Sequence, residues 1–394
     1  MRNEALIVSA VRTPMGRFMG TLSPFPASKL GSFAIAEAVK RAKISPEDVE
    51  EVIFGQVLQA GAGQNPARQA AIWGGIPVSK GAFTVNKVCG SGLKSVALAA
   101  QAIAAGDGHI FVAGGQESMT NAPYLLPGVR AGHRLGNGQM IDAMVNDGLW
   151  DIYNNFHMGM TAELVCDKYG VTREDQDNWA LGSHLKAVKA IKEGKFKAEI
   201  VGIQIPQPKG APVLFDADEG PREDTSMEKL GRLKAAFKEG GRVTAGNASA
   251  INDGASALVV VSESRLKEKN LAPLARIVGY ATGGVAPEWV MMAPVEAIKN
   301  LLARTSMKLD QFDLIELNEA FAAATCGLIK ELKIDRDRVN VHGGAVALGH
   351  PIGCSGARIL TTLIYALKDR KLKRGLAALC LGGGNAVAMA VEVV

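Results

Sequence analysis

The 394-residue chain repeats itself, and this constrains its fold more than any other feature. EDVEEVIFGQV (Glu47 to Val57) is followed by TVNKVCGSGLKSVALAAQAI and then by HIFVAGGQES (His109 to Ser118). Roughly 265 residues on, DQFDLIELNEA (Asp310 to Ala320) is followed by RVNVHGGAVALGHPIGCSGARILTTLI and then by LAALCLGGGNAV (Leu376 to Val387). Each stretch reads as a strand, a second strand entering a Cys/Gly turn, a helix, and a strand ending in Gly-Gly. Strands alternating with helical segments predict parallel sheets built of βαβ units. Equivalent turns of two such halves can face each other across a pseudo-twofold axis, which would bring Cys89, His350 and Cys380 together. Gene duplication is one source of such a likeness; common βαβ chemistry in two unrelated halves is the other.

The length allows two or three domains with substantial cores. Apolar residues make up 47% and charged residues 21%, which excludes a disordered or fibrous chain. The 45 glycines cluster beside strands, as in an α/β protein whose loops build a site. Net charge is +5, with no basic run or aromatic-interleaved patch, so a nucleic-acid partner is not expected and an anionic small substrate is suited. The odd set Cys89, Cys166, Cys326, Cys354 and Cys380 lacks CxxC spacing, which argues against a disulfide framework or a zinc ribbon and for reduced, cytoplasmic thiols. The first residues run directly into an apolar strand (Ala5 to Val11), and neither a leader, a transmembrane run nor a C-terminal peroxisomal tripeptide is expected. No membrane partner is therefore expected.

Residues from about 120 to 249 have a different texture, with more polar and long side chains. One helix is clear there: Thr172 caps Arg173 to about Glu193, with Asp175 placed for a capping box. The region reads as a loop-rich insertion covering the site at the strand ends. The expected division is an N-terminal half over 1–119, completed by about 250–270, a loop domain over 120–249, and a C-terminal half over 271–394.

Four segments join reactive groups to glycine: Cys89-Gly90-Ser91-Gly92, Asn318-Glu319-Ala320-Phe321, Gly349-His350-Pro351-Ile352-Gly353, and Cys380-Leu381-Gly382-Gly383-Gly384-Asn385. The run Ala82 to Val88 reads as a buried strand and Leu93 to Ala105 as an apolar helix. Cys89 falls at the hinge, where free N–H groups and the helix dipole favour a thiolate. The alternative is a small buried hydrophobe at a strand end. A cysteine nucleophile needs a base, which histidine supplies. A tetrahedral intermediate needs N–H donors, which Gly-rich turns present. A second cysteine serves where a proton must leave carbon and return. Asn318 can instead cap a turn, Cys354 reads as structural, and His109, His133, His184 and His342 read as surface or packing residues. No His/Cys pair has metal-ligand spacing, and neither GxGxxG with a downstream acid nor GxxxxGK[ST] is present.

These segments resemble the thiolase family. The matching motifs are IVSAVRTPMGRFMG, VNKVCGSGLKSV, GGQESMTNAPY, HMGMTAE, RVTAGNASAINDGA, LIELNEAFA, NVHGGAVALGHPIGCSGARI and CLGGGNAVAMAVE, which span essentially the whole chain. The resemblance implies an α/β fold of two duplicated βαβαβαββ halves in five α-β-α-β-α layers, with an inserted loop domain that binds coenzyme A. It implies reversible Claisen chemistry, joining two acetyl-CoA into acetoacetyl-CoA and CoA or cleaving another 3-ketoacyl-CoA. Cys89 would carry the acyl group, His350 would deprotonate it, and Cys380 would exchange the α-proton. Asn318 would hold a water in one oxyanion hole with His350, and the N–H groups of Cys89 and Gly382 would form the other.

Coenzyme A contacts are implied at Leu149, His157, Met158, Arg222, Leu233, Phe237, Ala248 and Ser249, with Ala320 and Phe321 near the pantetheine arm. Arg222 can equally be a solvated loop charge. Coenzyme A is substrate and product, and no resident cofactor or metal is implied; a homotetramer, as a dimer of dimers, is. His157-Met158 resembles the biosynthetic branch more than the long-chain degradative one. Where many biosynthetic members have Met-Gly-x-Gly-Pro, this chain reads Trp289-Val290-Met291-Met292-Ala293-Pro294, which alters the acyl pocket. A broader 3-ketoacyl-CoA thiolase and a non-catalytic acyl-CoA- or lipid-binding relative are the alternatives.

Overall fold

A computed structural model describes residues 4–394. The first half runs β1 (Ala5–Arg12), α1 (Ala27–Ala42), β2 (Glu51–Gly55), α2 (Pro66–Trp73), β3 (Gly81–Val85), α3 (Ser91–Ala105) and β4 (Ile110–Ser118). An excursion carrying α4 (Met158–Tyr169) and α5 (Arg173–Lys192) follows, and β5 (Asn252–Ser262) closes this half. The second half runs β6 (Ala275–Gly284), α6 (Ala293–Thr305), β7 (Leu314–Leu317), α7 (Ala322–Leu332), α8 (Ser355–Asp369), β8 (Arg374–Leu381) and β9 (Asn385–Val393). β1 is buried along its whole length, as expected of the continuous apolar run that opens the chain. α1 buries Leu30, Ala34, Ile35 and Ala38 at helical spacing and stops at Lys43, a left-handed residue.

Three apolar clusters stack the halves into five layers. One lies between α1, α2 and the first sheet, through Leu30, Ile35, Ala70, Phe54 and Val259. The central one gathers α3 and α8 between both sheets, through Leu93, Ile103, Leu360, Leu363, Leu258 and Met389. The third covers the outer face of the second sheet, where α4 and α5 of the insertion share a core with α6 and α7 through Ala162, Trp179, Ile298 and Leu328. The insertion therefore does not fold apart from the second half. The Thr172–Asp175 capping box forms, and α5 ends at Lys192. The run Val88–Ala105 is apolar enough by length and composition to cross a membrane, with mean hydropathy 1.3, a point the sequence reading passed over; here it packs between the sheets.

Three expectations need correction. The sheets are mixed, in the order β7-β8-β9-β6-β1-β5-β4-β2-β3, and among the strands described only β2–β3, β2–β4 and β7–β8 pair in parallel. The crossover strands of each half do share a direction, but β5 and β9 return antiparallel and insert beside the leading strand. The two sheets also join, through Leu6↔Arg276 and Ile7↔Ala275.

Next, the halves are not both complete. The strand of the second half matching β3 is reduced to a bridge from Val339 to Ile315. The Asn340 side chain replaces the ladder there, accepting from Leu317 N at 2.9 Å and donating to Leu317 O at 2.8 Å. Finally, β3 ends at Val85 instead of Val88 and is a partly exposed edge strand, paired on one side only.

Candidate active site

Beyond β3 the chain turns within a few residues. Asn86 Oδ1 accepts from Val88 N at 3.0 Å, and Ser91 Oγ donates to Val88 O at 2.6 Å while accepting from Lys87 N at 2.8 Å. Val88 is held at φ 45°, costly for a β-branched residue by about 1–3 kcal/mol. Cys89 follows, two residues before α3 begins. Cys380 lies at the end of β8, with its sulfur 3.8 Å from Met291 Sδ.

His350 sits between the short turn Ala345–Leu348 and α8. Its N–H donates to Asn252 Oδ1 at 3.0 Å, and its Nδ1 lies 2.6 Å from Ser355 Oγ. Ser355 Oγ donates its hydrogen to Pro351 O at 2.8 Å, so His350 supplies the hydrogen at Nδ1 and Nε2 is left as a bare acceptor. Asn318, at the end of β7, places Nδ2 3.4 Å from the imidazole nitrogens. Among the described residues its buried Oδ1 has no hydrogen-bond partner. Glu319 pins this turn, accepting from Trp179 Nε1 at 2.9 Å, Ser183 Oγ at 2.8 Å, Asn340 Nδ2 at 2.8 Å and Val346 N at 3.0 Å.

One cavity of about 420 Å³ collects Cys89, His350, Cys380 and Gly382 with Leu149, His157, Met158, Phe237, Ala248, Ser249, Ala320 and Phe321. Asn318 stands behind His350 and does not line it. His157 stacks on Phe237 at 4.7 Å, and Phe237 meets Phe321 edge-on at 5.9 Å, so the walls are aromatic and apolar. Arg222 and Leu233 line a second cavity of about 440 Å³, which shares Ala245, Ala248, Ala250 and Ile251 with the first. The residues expected to contact one long ligand thus divide between a deep apolar chamber and an outer, cationic one. Arg17, His184 and Lys229 also line the outer chamber. From the sequence, His184 was expected in a surface or packing role. It is buried, but its Nδ1 accepts from Arg222 N at 3.2 Å, so it holds the loop of an expected contact residue. Arg17 lies in the resemblance motif at the start of the chain and was given no role there.

A model of the thiolase N-terminal domain matches residues 5–264, and a model of the thiolase C-terminal domain matches residues 271–393. The chain belongs to the thiolase family. An acetyl-CoA acetyltransferase of Cupriavidus necator is 54% identical over 389 residues, 99% of each chain. A probable acetyl-CoA acyltransferase of Staphylococcus aureus is 50% identical over the same length and coverage. The crystal structure of the Bacillus anthracis acetyl-CoA acetyltransferase aligns with a TM-score of 0.98 at 44% identity, over 100% of this chain and 99% of that one.

The electrostatics of this thiolase correct one expectation. The turn and helix dipole were expected to favour a Cys89 thiolate. Burial instead pushes that thiol above its ordinary range, with Cys380 and Glu117 adding to the shift. The N–H groups of Cys89 and Gly382 oppose it. Burial pushes Cys380 up to about 12. Burial, then Arg358, pulls His350 down to about 3. A neutral imidazole with a bare Nε2 therefore shares one chamber with two protonated thiols. All five cysteines of this thiolase are free, and among the described residues no group of three or more His, Cys, Asp or Glu is placed to hold a metal ion.

Proposed function

We propose that this thiolase is an acetyl-CoA C-acetyltransferase, joining two acetyl-CoA into acetoacetyl-CoA and CoA by a reversible ping-pong Claisen condensation. The observation that carries the reading is the single chamber holding Cys89, Cys380 and a neutral His350 beneath apolar walls that open onto a cationic mouth. Cys89 Sγ attacks the thioester carbonyl and gives its proton to His350 Nε2; collapse of the tetrahedral adduct expels CoA, which takes that proton back. Cys380 then gives its thiol proton to His350 Nε2, the thiolate so formed removes an α-proton from the second acetyl-CoA, and the resulting carbanion attacks the acetyl-Cys89 carbonyl. Loss of the Cys89 thiolate, reprotonated through His350, completes the turnover. The N–H groups of Cys89 and Gly382 face one developing oxyanion. Asn318, beside His350 with its Oδ1 unpartnered, suits a water that completes the other. No redox or metal chemistry enters these steps.

The apolar walls suit a pantetheine arm, and Arg17, Arg222 and Lys229 suit the phosphates of coenzyme A. Met291, against the Cys380 sulfur, occupies a stretch where related pockets carry glycine, and so favours a short acyl group over the longer chains of a broader 3-ketoacyl-CoA thiolase. Exposed Tyr124, Leu126, Val129, Leu135 and Met140 cluster in one excursion of the insertion and support a homotetramer. Five unpaired thiols suit a reducing compartment such as the cytoplasm. The test is mass spectrometry after acetyl-CoA treatment. Acetate is expected on the Cys89 peptide of the native protein and of Cys380→Ser, whereas Cys380→Ser should not condense. Acetate on another residue would refute the reading, and a steady-state preference for C8 or C16 substrates would move it to the broader thiolase.

A further inference from the structure

The catalytic turn exists twice. α8 begins 264 positions after α3 (Ser355 against Ser91), and β8 begins the same 264 after β4 (Arg374 against Ile110). This offset sets Gly353 opposite Cys89, and Gln116-Glu117-Ser118 opposite Cys380-Leu381-Gly382. In the first copy the Cys89 and Gly382 N–H groups converge on the reacting sulfur. In the second copy no sulfur is present at either place, and a carboxylate fills the equivalent pocket. Glu117 Oε2 accepts from Gly353 N at 2.9 Å and Val57 N at 3.0 Å, and Oε1 accepts from Leu58 N at 3.2 Å.

Glu117 is fully buried, and among the described residues no cation lies within ion-pair distance of it. Its compensation comes from three backbone donors, two from the chain leaving β2 and one from the turn that carries His350. Gly353 is glycine because a Cβ would lie 2.6 Å from Gln116 O and 2.8 Å from Glu117 Oε2. The turn is thus fixed at three points. Asn252 holds the His350 N–H, Ser355 holds the ring, and Glu117 holds the far end at Gly353. Two of these anchors, Asn252 and Glu117, belong to the first half.

We infer that Glu117 is a positioning residue for the thiolase reaction, locking the His350 turn of the second half onto the strand ends of the first and so holding His350 in register with Cys89. The inference rests on His350 acting as the base for Cys89. The experiment is Glu117→Gln in the full chain, read by single-turnover acetylation of Cys89. An amide nitrogen cannot accept from a backbone N–H, so at least one clamp bond is lost without change of shape. The acetylation rate and kcat should fall about 10- to 100-fold. The acetyl-CoA concentration for half-saturation should stay within about twofold, because the cavity walls are untouched. An unchanged acetylation rate in a folded Glu117→Gln protein overturns the inference, as does a rise in half-saturation alone. Glu117→Asp keeps the carboxyl but retracts it, and should recover part of the rate. If both variants fail to fold, Glu117 serves stability alone and the inference is equally overturned. His350→Asn separates the two readings: if it acetylates at the native rate, the base assignment fails, whatever Glu117 does.

Discussion

Removing the Ser355 hydroxyl probes the imidazole without touching any group proposed to meet substrate. Ser355 is fully buried and His350 nearly so, and the 2.6 Å contact between Oγ and Nδ1 is the shortest that the ring makes. In Ser355→Ala, a hydrogen left on Nδ1 has no acceptor, and an unmet buried donor costs about 1–3 kcal/mol. The ring is released from that cost by moving its hydrogen to Nε2, the atom that must be bare to take the Cys89 proton. A preference of about 2 kcal/mol for the wrong tautomer leaves roughly one molecule in thirty competent. We expect single-turnover acetylation of Cys89 to slow about 30-fold, with half-saturation by acetyl-CoA unchanged. The bond from Ser355 Oγ to Pro351 O is also lost, which lowers stability by about 1 kcal/mol and leaves the fold intact. Rapid quench followed by mass spectrometry measures the rate, and thermal melting checks the fold. A folded variant acetylating within twofold of native would refute the tautomer argument.

Other perturbations address charge and shape. Because burial holds His350 near 3 and keeps both thiols protonated, neither partner changes charge between pH 5.5 and 8. Burial pushes the Glu117 carboxyl up to about 7, so the one inflection expected in the acetylation rate across that window is a rise with pH as the Glu117 carboxylate forms, absent in Glu117→Gln. A histidine with lowered pKa loses its neutral form only as pH falls through the lowered value, so a midpoint near 6.5 that persists in Glu117→Gln would contradict the site described. Met291→Ala should raise kcat/KM for longer or branched 3-ketoacyl-CoA relative to acetoacetyl-CoA by about 10-fold, with a stability loss of about 2–5 kcal/mol. Unchanged discrimination would remove Met291 from the acyl pocket. Arg222→Ala should raise KM for CoA thioesters about 10-fold at constant kcat, since the outer chamber meets a part of the substrate that does not react. An effect on kcat alone would contradict that division.

Much of the site was legible because its signals are local. A reactive residue within two positions of glycine marks a turn in sequence, and Cys89, His350 and Cys380 all carry that mark. Their meeting was legible from the repeat. Signals that depend on tertiary contact were not. Ser355, Glu117 and Glu319 carry no pattern that separates them from ordinary helix-start or strand-end residues, and they matter through partners that folding brings close, 60 and 236 positions away for Glu117, 140 for Glu319 and five for Ser355. The protonation of Cys89 was misjudged for the same reason. The turn and helix are local and lower a thiol, whereas burial and the facing Cys380, which raise it, appear only on folding. The mixed sheet was missed because β5 and β9 read as ordinary apolar strands, and period and composition do not encode direction.

The two copies of the turn explain how residues from distant parts of the chain can be held closely enough for acyl transfer. α3 and α8 meet at their first turns. A Cβ on Gly92 would lie 2.9 Å from Ala357 N, and one on Gly356 would lie 2.4 Å from Leu93 N, so each helix start presses against the backbone of the other. The serine before each glycine binds the turn behind it, Ser91 to Val88 O and Ser355 to Pro351 O. From this shared foundation the copies diverge. Ser91 ties main chain alone and supports the strained residue before Cys89, whereas Ser355 also holds the His350 ring. The first copy keeps its pocket open for the thioester oxygen, and the second closes its pocket with Glu117. Two acylating turns side by side would compete for one acyl group and leave His350 unsupported. Filling one pocket with a fixed carboxyl group turns that copy into the mount for the base that serves the other.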